Sequence, residues 1–274
     1  MSELIDKESI IRFCNSSSCG EIYADNRQNL LENYRLQAQK RYQLEPYLLE
    51  FANFNDAHNK ICLEIGVGMG ADHEKISKVG PYQLIGIDFS ERAISHSKKR
   101  LELAGLKSQL QVEDGESLSF VNNYFDWIYS WGVIHHSPNT EKAVTEIFRV
   151  LKPGGIAKIM IYHKYSIVGG LLWIRYALLK GKPFTDLDYI YSHYLESPGT
   201  KAYSLAQANS LFSDFTKVDI QVCLSFGDLL QGEVGQRHRG WPLSIAKKLW
   251  PRKLICLIAR RWNLGLYLLI TAKK

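Results

Sequence analysis

Apolar residues along the chain follow two alternating rhythms. Short runs rich in β-branched and aliphatic residues occupy Lys60 to Ile65, Gln83 to Asp88 and Ser108 to Val112, the length and composition of buried strands. Between them, Asp72 to Lys78 and Ser90 to Leu103 repeat apolar positions every three or four residues, as helices covering a sheet do. The alternation continues through a strand at Phe125 to Ser130, a helix from Thr140 to Leu151 and a strand from Ile156 to Tyr162. Such a succession predicts a doubly wound α/β fold, with a parallel sheet between two layers of helices. Two later runs, Lys217 to Leu224 and Leu264 to Thr271, predict closing strands. Ahead of the sheet, Asn26 to Phe54 reads as helical with a break before Pro46, because proline cannot continue a preceding helix. The expected division is a helical cap over 1–57 and a main domain over 58–274, with insertions at 163–215 and 225–263 forming a substrate cover.

Composition narrows the class. A chain of 274 residues that is 46% apolar can bury one large core. Cys14, Cys19, Cys62, Cys223 and Cys256 are odd in number and irregularly spaced, which predicts a reduced, cytoplasmic protein. Cys14 and Cys19 alone make a poor metal site, and no metal is expected. Glu3, Asp6 and Glu8 sit where a signal peptide would be apolar. Arg175, Arg260 and Arg261 interrupt the longest apolar stretches, so no membrane span is expected.

Charge is distributed unevenly. Residues 235–274 carry ten Lys or Arg and no acid, whereas the first 234 residues hold 24 basic and 28 acidic groups. That end reads either as an amphipathic helix packed on the sheet with a solvated basic side, or as a surface for an anionic partner, an anionic membrane in peripheral contact with 235–274 or a phosphate-bearing substrate. Pro251 suits the first turn of a helix. On a helix from there, Leu254, Ile255, Ile258 and Trp262 are predicted to share one face, with Arg252, Lys253 and Arg260 opposite and Arg261 at the edge. Arg237 and Arg239 would add to the basic surface.

Ligands of open α/β sheets bind at the carboxyl ends of the strands, which directs attention to "LEIGVGMGADHE", residues 63 to 74. Gly66, Gly68 and Ala71 satisfy the dinucleotide fingerprint, which lays a pyrophosphate on a helix N-terminus. Gly66, Gly68 and Gly70 form a different loop. A pyrophosphate would face Glu64, Asp72 and Glu74, whereas a cationic ligand such as S-adenosylmethionine, with its sulfonium and ammonium, has the sign those carboxylates favour. Asp88 at the end of the second strand can bind a ribose diol. Asp114 at the end of the third can accept from an exocyclic adenine amine, and Gly115 leaves room for the ring.

Four stretches, "LEIGVGMG", "LIGIDFSERAI", "DGESLSF" and "FDWIYSWGVIHHSPNTEKAVTEIFRVLKPGG", lie in this order between residues 63 and 155. Together they resemble the class I S-adenosylmethionine-dependent methyltransferases, and within them the small-molecule group similar to ubiquinone and menaquinone biosynthesis enzymes. The resemblance implies a seven-stranded Rossmann-like sheet with an antiparallel last strand, S-adenosyl-L-methionine as cofactor, and a small or lipid-like acceptor. It implies Glu64, Gly66, Gly68 and Gly70 along the methionine half, Asp88 and Phe89 at the ribose, and Asp114, Gly115 and Glu116 at the adenine. Ser130 and Trp131 would close over the cofactor. Methyltransferases acting on nucleic-acid or amide nitrogen often carry Asn/Asp-Pro-Pro-aromatic where this chain reads Ser130-Trp131-Gly132-Val133, so nucleic acid is not the expected substrate. A non-catalytic cofactor-binding scaffold and an NAD-dependent oxidoreductase remain as alternative readings.

Methyl transfer from a sulfonium needs a positioned nucleophile and, for some acceptors, a base. His135 and His136 follow the fourth strand at the rim, where they serve either as a base or as loop-bracing groups beside the helix cap Ser137-Pro138-Asn139-Thr140. Tyr162, His163 and Tyr165 leave the fifth strand at the same rim, with His163 a further candidate base and the tyrosines either a substrate wall or simple packing. His193 and Tyr194, near Glu196 and Lys201, are candidate acceptor contacts, and Ser204 with Gln207 forms a capping box. Tyr34 and Tyr42 either cover the sulfonium by cation–π contact or pack in the core.

Overall fold

The computed structural model describes residues 7, 15, 29–231 and 247–274. Two helices, α1 (Leu30–Leu44) and α2 (Tyr47–Ala52), precede the sheet. Asn29 caps α1 by accepting from the Glu32 N–H. The alternating core follows as β1 (Ile61–Ile65), α3 (Ala71–Lys78), β2 (Gln83–Asp88), α4 (Glu91–Leu103), β3 (Gln109–Val112), β4 (Phe125–Trp131), α5 (Thr140–Val150) and β5 (Leu151–Tyr162). Ser90 and Asn139 start α4 and α5 by accepting from the N–H three residues on, the standard way to satisfy an orphan donor. The remainder is α6 (Ile167–Tyr176), α7 (Leu187–Tyr194), α8 (Leu205–Leu211), β6 (Lys217–Cys223), α9 (Arg252–Trp262) and β7 (Tyr267–Lys273). The Ser204–Gln207 capping box opens α8 as expected.

The seven strands are ordered β3-β2-β1-β4-β5-β7-β6. β7 runs antiparallel to both β5 and β6, while the pairings among β1 to β5 are parallel. The order reverses between β1 and β4, which opens a crevice at their carboxyl ends. Strand alternation splits the core in two. Trp127 and Tyr129 on β4 join a layer containing Leu48, Phe54 and Tyr267, and Ile128 joins the layer of Val144, Ile147 and Phe212. Phe125 falls in the second layer as well, because the pairing with β5 shifts between Phe125 and Trp127, and an irregularity of that kind resets which face a residue takes.

Two expectations are corrected. β5 begins at Leu151 rather than Ile156, since Pro153-Gly154-Gly155, with the features of a turn, runs along β7 instead, where Gly154 N–H donates to the Lys274 carbonyl at 2.8 Å. On α9 the predicted apolar face divides: Ile255 and Ile258 are partly covered beside buried Ala259, whereas Leu254 and Trp262 are exposed. Among the described residues no helix is long and apolar enough to cross a membrane. Cys14, Cys19, Arg237 and Arg239 lie outside the described residues.

Candidate functional site

The loop after β1 is held in a shape that needs glycine. Gly66, Gly68 and Gly70 have φ of +85°, +51° and +75°, values that side chains other than glycine rarely adopt. Their surroundings differ. A Cβ on Gly66 would lie 2.1 Å from a Val133 methyl, so this glycine permits close packing, whereas one on Gly68 would meet nothing within 4 Å. Gly68 therefore faces open space, and its N–H donates to Asp88 Oδ2 at 3.0 Å. Asp88 Oδ1 accepts from the Ser90 N–H at 2.9 Å. Burial raises the Asp88 carboxyl above its usual range, against the opposing pull of the Gly68, Ser90 and Phe89 N–H groups. Each oxygen keeps acceptor capacity for one further donor, which is what a ribose diol requires.

Beneath the loop, Glu64 Oε2 lies 2.7 Å from His73 Nδ1, and His73 Nε2 lies 2.7 Å from Ser108 Oγ. Ser108 Oγ donates to the Leu84 carbonyl at 2.8 Å. Burial, then the neighbouring Asp72 charge, holds Glu64 well above the usual carboxylate range, and burial pushes His73 down to about 3. Because burial disfavours both charges, the Glu64 acid donates to Nδ1, Nε2–H to Ser108, and Ser108 to the carbonyl. The pair is thus neutral, not an ion pair.

Asp72, at the start of α3, is the charged group here. Arg41 Nε and Nη2 donate to it at 3.1 and 2.6 Å, and the Tyr42 and Tyr129 hydroxyls each donate at 2.9 Å. Burial alone would raise the Asp72 pKa, but the Arg41 charge and these donors hold it below the usual range. Arg41 also lies 3.5 Å from Glu45, which accepts from the Tyr267 hydroxyl at 2.8 Å. α1 is thereby pinned over the glycine loop. Of the two readings for Tyr34 and Tyr42, packing describes both: Tyr34 is 3% exposed beneath Arg100, and the Tyr42 hydroxyl is bound to Asp72.

Past β3, Asp114 and Glu116 converge on Lys7, whose Nζ lies 2.6 and 2.7 Å from them. Glu116 also accepts from the Ser137 hydroxyl and, at 2.7 Å, from the Asn139 N–H. It ties the turn after β3 to the turn after β4. A Cβ on Gly115 would sit 3.5 Å from Ile65, in ordinary contact.

At the rim after β4, Ser130 and His135 are fully buried, and the Ser130 hydroxyl and both His135 ring nitrogens have no partner among the described residues. Buried imidazole without a partner is costly, so this position suits a bound polar group. The His135 ring is 4.2 Å from His136 and 4.1 Å from Tyr162. His136 Nδ1 is 2.8 Å from Ser197 Oγ and 3.1 Å from Thr200 Oγ1. Its Nε2 lies 3.6 Å from Glu196 Oε2, which accepts from the Tyr162 hydroxyl at 2.8 Å. Burial drives His135 well below its ordinary pKa, helped by His136 and Lys201, and takes His136 down to about 4. Both rings are neutral near pH 7. Behind them Trp131 stacks on Tyr47 at 6.3 Å and meets Tyr267 edge-on at 5.9 Å. Sequence reasoning missed Glu45, Tyr47 and Tyr267, which belong to elements remote in sequence and show no local signal. Ser197 and Thr200 flank the Pro198-Gly199 turn, where the turn chemistry masks them.

The other candidates are placed elsewhere. His163 follows Tyr162 and so faces the opposite side of the sheet, with Nδ1 3.0 Å from the Gly265 carbonyl. Tyr165 is 55% exposed. His193 stacks on Tyr189 at 3.9 Å and Tyr194 on Tyr176 at 4.0 Å. Among the described residues no cluster of three or more His, Cys, Asp or Glu is arranged to hold a metal.

The depressed histidines give a pH prediction. Unfolded His136 takes up a proton near 6.5 but the folded form only near 4, so stability is full above 6.5 and is lost as pH falls toward 4. The loss is at most about 1.4 kcal/mol per pH unit, with His73 adding to the slope. Urea midpoints measured across this range are expected to fall with acidity, and His136→Asn should flatten the slope by about one proton. An unchanged slope in that variant would contradict the assignment of a neutral His136.

Residues 63–159 match a family described as "Methyltransferase domain". The chain is 33% identical over 103 residues to phosphoethanolamine N-methyltransferase 2 of Caenorhabditis elegans, covering 37% of this chain and 24% of that protein. It is 32% identical over 96 residues to a sterol 24-C-methyltransferase of Aspergillus fumigatus, covering 34% and 26%. The match spans about a quarter of the length of these relatives. Among solved structures, an S-adenosylmethionine dependent methyltransferase from Mesorhizobium loti superposes with a TM-score of 0.53 at 14% identity, over 84% of this chain and 96% of that one.

Proposed function

From a chain whose residues 63–159 form a class I S-adenosylmethionine-dependent methyltransferase domain, we propose a cytoplasmic enzyme that methylates a small or lipid-like acceptor and releases S-adenosylhomocysteine. The observation that carries the reading is the set of open acceptors around Gly68 and Asp88 beside the unpartnered Ser130 and His135. Gly66, Gly68 and Gly70 give the methionine half a backbone surface, with Glu64 beneath it. Asp88 and Phe89 hold the ribose, Asp114 and Gly115 the adenine, and Glu116 braces that turn. In this reading Lys7 lies against the adenine site and moves or shares Asp114 when cofactor binds. The cofactor, when bound, supplies an electrophilic methyl on a sulfonium.

The chain supplies position. Trp131, Tyr47 and Tyr267 form an aromatic wall, and Tyr162, fixed by Glu196, closes its end. His135 presents the open ring nitrogen to the acceptor, accepting a hydrogen bond from its nucleophilic O–H or N–H and taking the proton as the methyl is transferred. His136, with Nδ1 accepting from Ser197 and Nε2–H toward Glu196, orients the pair. The low basicity of a buried imidazole places its contribution at the modest end of general base catalysis.

Titration calorimetry is expected to show binding of S-adenosylmethionine and S-adenosylhomocysteine and none of NAD. Labelled methyl should then pass from the cofactor into an extractable small molecule or lipid; cofactor binding without any such product would favour the scaffold reading. His135→Asn is expected to lower kcat by about 100-fold and leave cofactor affinity unchanged. Full activity in that variant would remove His135 from the mechanism.

A further inference from the structure

α9 carries apolar residues on two opposite sides. Ile255, Cys256 and Ile258, partly covered, and Ala259, buried, form its inward face. At helical spacing the outward face centres on Leu257, 68% exposed, with Leu254 at 53% beside it. Lys253 and Arg260 border Leu257 on one side, and Arg261 lies between the two leucines. Trp262 at 62% ends the helix and Leu249 at 77% precedes it. Surface helices ordinarily turn polar side chains outward. Leucine and tryptophan set among basic residues are instead the composition of helices that lie in a membrane interface. No acid occurs in residues 235–274 to neutralise this charge locally.

A second exposed apolar segment springs from the same rim. Ile174, Leu178, Leu179 and Phe184, between 43% and 100% exposed, follow β5 alongside Arg175, Lys180 and Lys182. The Ile167 N–H, at the start of α6, donates to the Leu264 carbonyl, just past α9. Tyr162 pairs with Tyr267, so α6 departs and α9 returns at the carboxyl end of β5, where His135 and Tyr162 sit.

We propose that α9 seats the protein on an anionic lipid bilayer, with Leu254 and Leu257 in the interface and Lys253, Arg260 and Arg261 among the headgroups. Charge decides the occupant. A second copy would bring two uncompensated basic faces together, and a nucleic acid would use the basic groups while leaving the leucines in water. The proposal is independent of which acceptor is methylated, and its test does not use activity.

The full chain is sedimented with vesicles of phosphatidylcholine alone or with phosphatidylserine added. Pelleting is expected only with the anionic vesicles and should fall as salt shortens the screening length. K253Q/R260Q/R261Q should weaken binding by about 100-fold. L254S/L257S should weaken it by at least about tenfold, with thermal melts and calorimetric cofactor binding unchanged in both because the sites are exposed. Absence of pelleting on anionic vesicles at low salt overturns the proposal. So does equal pelleting on neutral vesicles, undiminished binding by L254S/L257S, or a soluble dimer that this double variant dissociates.

Discussion

Replacing Arg41 with leucine is expected to destabilise the protein by about 3–5 kcal/mol, because it strands the Asp72 carboxylate in the core without its counter-charge. Asp72 is 4% exposed and accepts four hydrogen bonds, two of them from Arg41. At roughly 2–4 °C per kcal/mol for a chain near this size, the melting temperature should fall on the order of 10 °C. The double variant R41L/D72N is expected to regain part of the loss, since an amide in place of the carboxylate removes the buried charge, its oxygen accepting from one of the Tyr42 and Tyr129 hydroxyls and its nitrogen donating to the other. A melting temperature within about 2 °C of the parent for Arg41→Leu would show that water reaches Asp72 and that the pair contributes as a surface contact does. Because the same network pins α1 over Gly66–Gly70, cofactor affinity should weaken with it.

That network marks the boundary of what could be read before the fold was known. The αβ alternation was legible because each buried strand of a parallel sheet is a continuous apolar run, and its helices carry one apolar face. β2 and α4 fall where expected. The glycine loop and Asp88 were legible because close backbone approach and a strand-end carboxylate are local features. Arg41, Glu45, Tyr47 and Tyr267 were not. Tyr267 reaches Glu45 from the far end of the chain, and no periodicity encodes such a partnership. The double histidine was visible, but the 3-10 turn over Ile134–His136 and the Ser197–Thr200 contacts were needed to separate His135, with open nitrogens, from His136, with both ring nitrogens engaged. On α9 the error had a physical source: a helix with apolar residues on two sides has no single apolar face for a periodicity argument to find.

Replacing Asp88 with asparagine is expected to lower affinity for S-adenosylmethionine by about 100- to 1,000-fold, the loss of one to two charge-assisted hydrogen bonds at roughly 1.5–3 kcal/mol each. Each Asp88 oxygen already accepts a backbone N–H, from Gly68 at 3.0 Å and from Ser90 at 2.9 Å. Each also has one lone pair left for a ribose hydroxyl. Asparagine keeps only one oxygen. Its amide nitrogen must face either the Gly68 or the Ser90 N–H, donor against donor, so the loop shifts or the ribose loses an acceptor. The side-chain volume is preserved, and the melting temperature should change far less than in the Arg41 variant. Calorimetry on Asp88→Asn and His135→Asn side by side separates the two roles: the first should lose cofactor affinity, and the second should keep it while losing turnover. NAD also carries ribose diols, so Asp88 alone does not distinguish the two cofactors. The acids of the glycine loop do not draw the distinction that their sequence suggests: in the structure Asp72 is paired with Arg41, Glu74 with Arg100 and Lys78, and Glu64 is held neutral, so calorimetry with NAD draws it. Affinity for S-adenosylmethionine within about threefold of the parent in Asp88→Asn, a difference of under 1 kcal/mol, would remove Asp88 from the ribose site.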